Sequence, residues 1–358
     1  MRQLDTVFSE KLRTFVKARA EDGTTYRREA EREGEDKRKM KRRLATSIAI
    51  GAVSALWCWA ILARNHQGAA DFQWAIRLAQ HLLTGQAPYD TPLEQYPPAA
   101  ALLGLPFVTL PGEIAGALFF GISSGLLAFG LTRTGYTRLL IFFAYPYWAA
   151  MITVQWSPLV AASAFFWWLA PVALMKPNIS LPVLLSNLSR RAVMACGIVL
   201  ALSLALTLRW YEEWPRQLGK YNHFFPAAIF PGIVILLAFL QLRDGLRNDG
   251  LRNKDALLLL LAAIVPQRWF YDAFILWLIP KSRREIVFTV AASWPVALWR
   301  WHSAPNMTQV GRWSVLGFYL PMLVVILFRE EGVRARLPWL GKHSNLKPDV
   351  GPSPMSTS

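Results

Sequence analysis

Three apolar stretches constrain this chain more than any other feature. Residues 44–63, 113–131 and 315–328 are nearly free of charge and reach, or come close to, the length that crosses a bilayer. Lipid offers the backbone no hydrogen-bond partner, so exposed chain at that depth must be helical or closed into a barrel. The apolar runs are longer than strands of a barrel would be. The expected class is therefore all-α, a polytopic transmembrane helical protein. Composition agrees: 54% of the 358 residues are hydrophobic, and the mean hydropathy is +0.26. A soluble domain of this size needs more polar surface.

The net charge of +16 admits a nucleic-acid partner on its own. Its distribution argues otherwise. The basic residues sit in short segments beside apolar runs, the pattern of loops retained on the cytoplasmic side. No nucleic acid is expected as a partner; membrane lipid is. Cys58 and Cys196 both fall inside apolar runs and read as small hydrophobes, without metal or disulfide spacing. The first apolar run starts too late and is too long for a cleavable signal.

Three regions follow. Residues 1–43 form a charged cytoplasmic tail that ends in the basic run 37–43. Residues 44–330 form the transmembrane domain. Residues 331–358 form a cytoplasmic tail with a disordered Pro/Ser-rich end. Hydropathy breaks and basic loops together predict about ten crossings: 44–63, 113–131, 139–153, 155–188, 193–208, 227–242, 256–265, 273–280, 286–301 and 315–328. Both termini are then cytoplasmic, in a multi-pass cell-membrane protein. The loop 243–254 holds a five-residue echo, 244–248 and 249–253, which reads as a local duplication. Segment 155–188 is broken by Pro158, Pro171, Pro177 and Pro182, and 96–110 reads as a juxtamembrane or re-entrant piece.

The first external loop, 64–95, contains a helical pattern over 71–83 with Phe72, Ala75, Ile76, Ala79, Leu82 and Leu83 on one face. An interfacial helix is expected there, ended by Gly85 and turned by Pro88-Tyr89-Asp90. On this topology the external side collects His66, Asp71, His81, Asp90, Glu94 and Gln95 from that loop. It gains Gln155 and Lys176 from the broken segment. The loop 209–225 adds Arg209, Lys220 and His223 among others, and a late turn adds Gln267, Arg268, Tyr271 and Asp272. Polar groups at membrane depth are costly and mark function. Zinc spacing, a P-loop and a serine-hydrolase elbow are all missing from the sequence.

In order along the chain stand Asp71-Phe72 before a helix, Gly85-x-x-Pro88-Tyr89, Tyr96-Pro97-Pro98 with an apolar run to Leu110-Pro111, Gln155-Trp156-Ser157-Pro158, Lys176-Pro177-Asn178, and Val265-Pro266-Gln267-Arg268-Trp269. This order resembles the GT-C glycosyltransferases. It is most similar to glycosyltransferase family 87, the polyprenol-phosphate-mannose-dependent mannosyltransferases. The stretch between Gln155 and Lys176 is shorter than in that family and lacks its basic turn. The resemblance implies transfer of a hexose such as mannose from a polyprenyl-phosphate-linked sugar to a glycan or glycolipid acceptor, with no cofactor and no metal. It implies Asp71 as catalytic base. It also implies a substrate-binding set of Arg268, Lys176, His223, Glu94, Tyr96, Gln155 and Asp272, with Arg209 as a third cation candidate.

Each residue also has a plainer reading. Asp71 suits a helix N-cap and Asp90 a turn. Lys176 can snorkel to an interface, and Arg268 can pair with Asp272. The sixteen Trp suit an interfacial belt, with Trp74, Trp156 and Trp269 as candidates to stack on sugar. Two other functions fit a many-helix membrane protein. A transporter or lipid flippase calls for inverted repeats with paired broken helices, and one broken region stands out here. A non-catalytic assembly protein would tolerate Asp71→Asn.

Overall fold

The computed structural model describes residues 2–89, 95–218, 222–242 and 254–329, with side chains from residue 33 onward. Glu94, Asp90, Lys220, the echo at 244–253 and the tail 331–358 lie outside the described residues. Among the described residues the chain is helix and turn without a strand; one isolated antiparallel bridge joins Phe224 and Gln267.

The helices are α1 (Arg2–Asn65), α2 (Gln73–Thr84), α3 (Ala100–Gly104), α4 (Gly112–Leu131), α5 (Tyr145–Ile152), α6 (Ser157–Ser163), α7 (Val172–Met175), α8 (Pro177–Ser186) and α9 (Arg190–Leu218). There follow α10 (Gly232–Leu242), α11 (Lys254–Ile264), α12 (Arg283–Trp301) and α13 (Met307–Phe328). Four of these are long and apolar enough to cross a membrane: α1 through its Glu33–Asn65 part, α4, α9 and α13. The protein is thus a helical membrane protein. Of the other expected crossings, 286–301 lies in the single 19-residue helix α12, and the rest are built of shorter pieces, so the count of ten rests on charge pattern more than on helix length. Proline explains much of the fragmentation. Pro146, Pro158 and Pro177 each sit in a first helical turn, where the missing N–H costs nothing. Tight 3₁₀ turns at Tyr136–Phe143 and Phe270–Leu278 take up the start of the crossing expected at 139–153, ahead of α5, and most of the one expected at 273–280.

Burial divides the four long helices into two kinds. The apolar windows of α4 and α13 are each 67% buried, against 17% for α1 and 22% for α9. The first pair forms the core. The second pair leaves Leu56, Trp57, Val193, Met194 and Ile198 exposed, as a lipid-facing helix does.

α1 and α4 run antiparallel along a seam of small residues. A Cβ added at Gly121 would lie 2.6 Å from Ala55 Cβ and 2.7 Å from the Gly51 carbonyl oxygen. One at Gly51 would meet the Gly121 oxygen at 2.9 Å. Such close backbone approach is a main source of helix association in lipid, where no hydrophobic drive exists between helices. At one end of the seam, the Arg43 guanidinium donates to the Phe129 carbonyl at 3.0 Å and lies 4.6 Å from the Phe129 ring centroid.

The polar interior gathers at two poles. One is an ion network: Lys281 to Asp255 at 2.9 Å, and Arg329 to Asp255 at 2.8 Å and to Glu285 at 3.3 Å. Arg138 joins nearby, donating to the Leu278 carbonyl at 3.1 Å. α11 carries Asp255 at its start and leads to Val265 and Pro266 just beyond its end, roughly 15 Å away at helical rise. There lies the second pole, a cavity described below.

The interfacial pattern at 71–83 forms as a helix, but shifted. Asp71 and Phe72 belong to a 3₁₀ turn, and α2 starts at Gln73. Ala75, Ile76, Leu78 and Ala79 are buried, whereas Leu83 is 64% exposed and not part of the packed face. Leu78 takes its place because α2 packs on α3: the Gly104 Cα is so close to Ala75 that a Cβ would stand 2.1 Å from the Ala75 oxygen. Gly85 closes the helix at φ 67°. The piece at 96–110 is a five-residue helix followed by a 3₁₀ turn, too short to span.

The seam makes a paired prediction. Gly121→Val should cost about 1–3 kcal/mol by overpacking. Gly197→Ala, on exposed α9 with nothing within 4 Å of its Cβ position, should be neutral or gain up to ~1 kcal/mol. Thermal unfolding in detergent separates the two.

Candidate functional site

Two unusual turns build the site. Among the described residues four non-glycine residues have positive φ, and two of them immediately precede site residues: Ala70 (φ 46°) before Asp71 and Val154 (φ 51°) before Gln155. A β-branched residue in this region is a true outlier, and such backbone persists only when its surroundings over-determine it. The two turns are joined directly, because the Asp71 N–H donates to the Thr153 carbonyl at 3.1 Å. The Gln155 N–H donates to the Ala150 carbonyl at 2.8 Å. The chain is therefore fixed on both sides where the two side chains meet.

Those side chains form a connected set. Gln155 Nε2 donates to Asp71 Oδ2, and Lys176 Nζ donates to Gln155 Oε1 at 2.5 Å. Lys176 stands just before Pro177, the first residue of α8, and is 7% exposed. Its ammonium also makes a long contact of 3.5 Å with the Tyr96 hydroxyl. The rings of Tyr96 and Tyr271 flank it at 5.6 and 5.7 Å. Asp272 and Asp71 attract its charge, and Arg268 repels it.

Over this set opens a cavity of about 300 Å³, in the range of small-ligand sites. Its polar wall holds Asp71, Gln95, Tyr96, Lys176, Asn178 and Arg268; its apolar wall includes Trp74, Leu181, Trp214, Leu218 and Val265. Tyr96 is seated by stacking on Trp156, with ring centroids 5.3 Å apart. The Tyr89 hydroxyl donates to its carbonyl at 3.0 Å. Trp214 Nε1 donates to the Gln95 carbonyl at 3.0 Å, and Asn178 Nδ2 to that of Pro266 at 3.4 Å. These bonds tie the loop before α3, the end of α9, the start of α8 and the turn after α11 around one space. A carboxylate, two cations and aromatic faces there offer proton abstraction, anion binding and stacking on a polar ring.

Asp71, Tyr96, Lys176 and Arg268 therefore line one cavity, with Gln155 fully buried beneath it. Asp71 does not act as an N-cap: neither its own turn nor α2 has a side-chain cap. Lys176 points inward and does not snorkel. Asp272 is fully buried and folds back on its own turn, its Oδ2 accepting from the Arg268 N–H at 2.8 Å. It shapes the turn and is not among the residues that line the cavity. His223 lies apart from the cavity as well. The bridge between Phe224 and Gln267, two bonds of 2.8 Å, buries Phe224 and turns both of its neighbours outward. His223 is exposed against the Phe225 ring, outside the cavity. Arg209 is exposed on α9 and does not line it. Of the three tryptophans, only Trp74 lines the cavity. Trp156 is a fully buried core residue, and Trp269 lies beside Arg300, ring centroid to guanidinium 5.7 Å.

Sequence reasoning misses Trp214 and Leu218. The apolar run ends near 208, which suggests an external loop from 209. Instead α9 bends at Thr207 and continues to Leu218, laying Trp214 across the cavity. A signal exists: Trp210, Trp214 and Leu218 recur at helical spacing. Among the described residues, no three His, Cys, Asp or Glu side chains come together as a metal-donor set.

Tyr96→Phe should be the milder change, because it keeps the ring stacked on Trp156. Tyr96→Ala should cost about 2 kcal/mol or more through the cavity left beside Trp156. Melting curves of the two variants check this. No protein-family model, curated protein or solved structure matches the chain.

Proposed function

We propose that the protein is a membrane glycosyltransferase of GT-C type that moves a hexose from a polyprenyl-phosphate donor to a glycan or glycolipid acceptor. Asp71 takes the proton of an acceptor hydroxyl. That oxygen attacks the anomeric carbon, the bond from that carbon to the phosphate oxygen breaks, and polyprenyl phosphate leaves with inversion. Negative charge grows on the leaving phosphate, where a preplaced cation lowers the barrier most. Lys176 and Arg268 serve that role, and Tyr96 and Trp74 offer faces for the sugar.

One observation carries this reading. Asp71, Tyr96, Lys176 and Arg268 come from four segments far apart in sequence, and all line a single cavity. A merely structural protein has no need to bring a carboxylate and two cations to one aromatic-walled space.

Sidedness supports it. Arg43, Arg138, Lys281 and Arg329 all contact groups at the end of the molecule away from the cavity. Basic residues collect on the cytoplasmic side. The cavity then opens externally, with the ends of the chain inside the cell. With Cys58 and Cys196 replaced by alanine, Gln80→Cys on α2 should react with an impermeant thiol reagent from outside intact cells. Arg284→Cys should react only after permeabilisation.

The activity itself is tested with membranes, polyprenyl-phosphate mannose and an added glycan acceptor. The wild-type chain should form product. Asp71→Asn should lose about 10²–10⁴-fold in rate, the usual share of a general base. Equal product from both would remove Asp71 as base.

A further inference from the structure

Gln155 sits between the two groups on which the proposed chemistry depends. It is 0% exposed, and both ends of its amide are engaged, one by Asp71 and the other by Lys176. An ammonium has three donors and no acceptor, and an ionised carboxylate only accepts. The amide therefore has one orientation that satisfies both: oxygen to Lys176, nitrogen to Asp71. Flipped, it would set NH₂ against ammonium and oxygen against oxygen. The arrangement thus presents an acceptor to Lys176 and a donor to Asp71.

It also keeps them apart. Among the described residues, ion pairs form within the N-terminal tail and at the Asp255 pole, and none joins Asp71 to Lys176. Direct pairing would favour the ionised carboxylate and weaken it as a base, and would occupy the ammonium. An amide prevents this because it fills the gap with a dipole and carries no charge. Nor does it pass a proton between them, since its nitrogen and oxygen are not acid–base groups near neutral pH. Its own backbone is held by the left-handed turn at Val154 and by the bond to Ala150.

We infer that Gln155 is a positioning residue that spaces the base from the phosphate-binding cation, holding Asp71 and Lys176 on opposite ends of one amide so that each stays available to substrate. This rests on the transfer reading above for the roles of its two partners, though not for the spacing itself.

Two measurements test it. The first is the pH profile of kcat/KM for the wild-type chain and Gln155→Glu with polyprenyl-phosphate mannose. The substitution places a second carboxylate against Asp71. Like charges disfavour ionisation, so the base gains its proton at higher pH and the acidic limb should move up by about one unit or more. A limb that stays where it was would mean that the side chain at 155 does not sit against the reacting base, and that result overturns the inference. The second is a double-mutant cycle on melting temperature with Asp71→Ala, Gln155→Leu and both together, which needs no transfer. Removing either partner leaves the other's polar group unmatched, so the two losses should be markedly less than additive. Additive losses overturn the inference. A wild-type chain inactive on the mannose donor with a non-additive cycle sinks the transfer reading and upholds the spacing. If Gln155→Leu does not fold, the Gln155→Glu profile decides.

Discussion

A single backbone bond joins the two turns on which the site is built. The Asp71 N–H donates to the Thr153 carbonyl, and around that bond two left-handed turns stand face to face. In water such turns could relax by hydrating their amides. In a bundle enclosed by lipid, backbone groups must find partners within the protein, and disfavoured backbone is tolerated where packing leaves no alternative. The seam of α1 and α4 supplies the packing on one side. Gly116 of α4 lies so near Leu62 and Ala69 that any added carbon would meet them at 3.0 and 3.1 Å. The small residues that let two helices approach thereby also fix the loop that carries Asp71.

From this anchor the rest follows outward. Gln155 can reach Asp71 only because Val154 turns it inward, and Trp156 beside it fills the core against Phe72, Phe119 and Tyr96. Tyr96 then faces Lys176. Ser157 Oγ donates to the Tyr271 carbonyl at 2.8 Å, which ties the late turn carrying Arg268 to the same frame. The buried polar network is costly unless every member is matched, and here Asp71, Gln155 and Lys176 match one another. The ion network at Asp255 has the same logic at the other pole: Arg329 and Lys281 balance Asp255 and Glu285 where the helix ends gather.

Much of this was legible in the sequence, and the parts that were not have physical reasons. Apolar runs identified α1, α4, α9 and α13, because a spanning helix writes its length directly into composition. Asp71, Lys176 and Arg268 could be singled out by residue type and topological side, and Tyr96 through the family resemblance. Their convergence could not, since it depends on 3₁₀ turns and proline breaks whose angles no periodicity encodes. The same breaks defeat a crossing count, because α5, α6, α7 and α8 are too short to span alone. His223 misled because its exposure is set by the pairing of its neighbour Phe224 with a residue 43 positions away. Trp214 was missed because charge at Arg209, Glu212 and Glu213 suggested a loop where the helix in fact runs on.

Whether the cavity pole holds a phosphate-bearing lipid, as proposed, can be seen directly. A side-chain-resolution map of the wild-type protein with a long-chain polyprenyl phosphate should place the phosphate between Lys176 and Arg268, its tail leaving past Leu181 and Leu218, and Asp71 still bonded to Gln155. Phosphate bound instead at the opposite pole, among Arg138, Lys281 and Arg329, would contradict the assignment of this cavity.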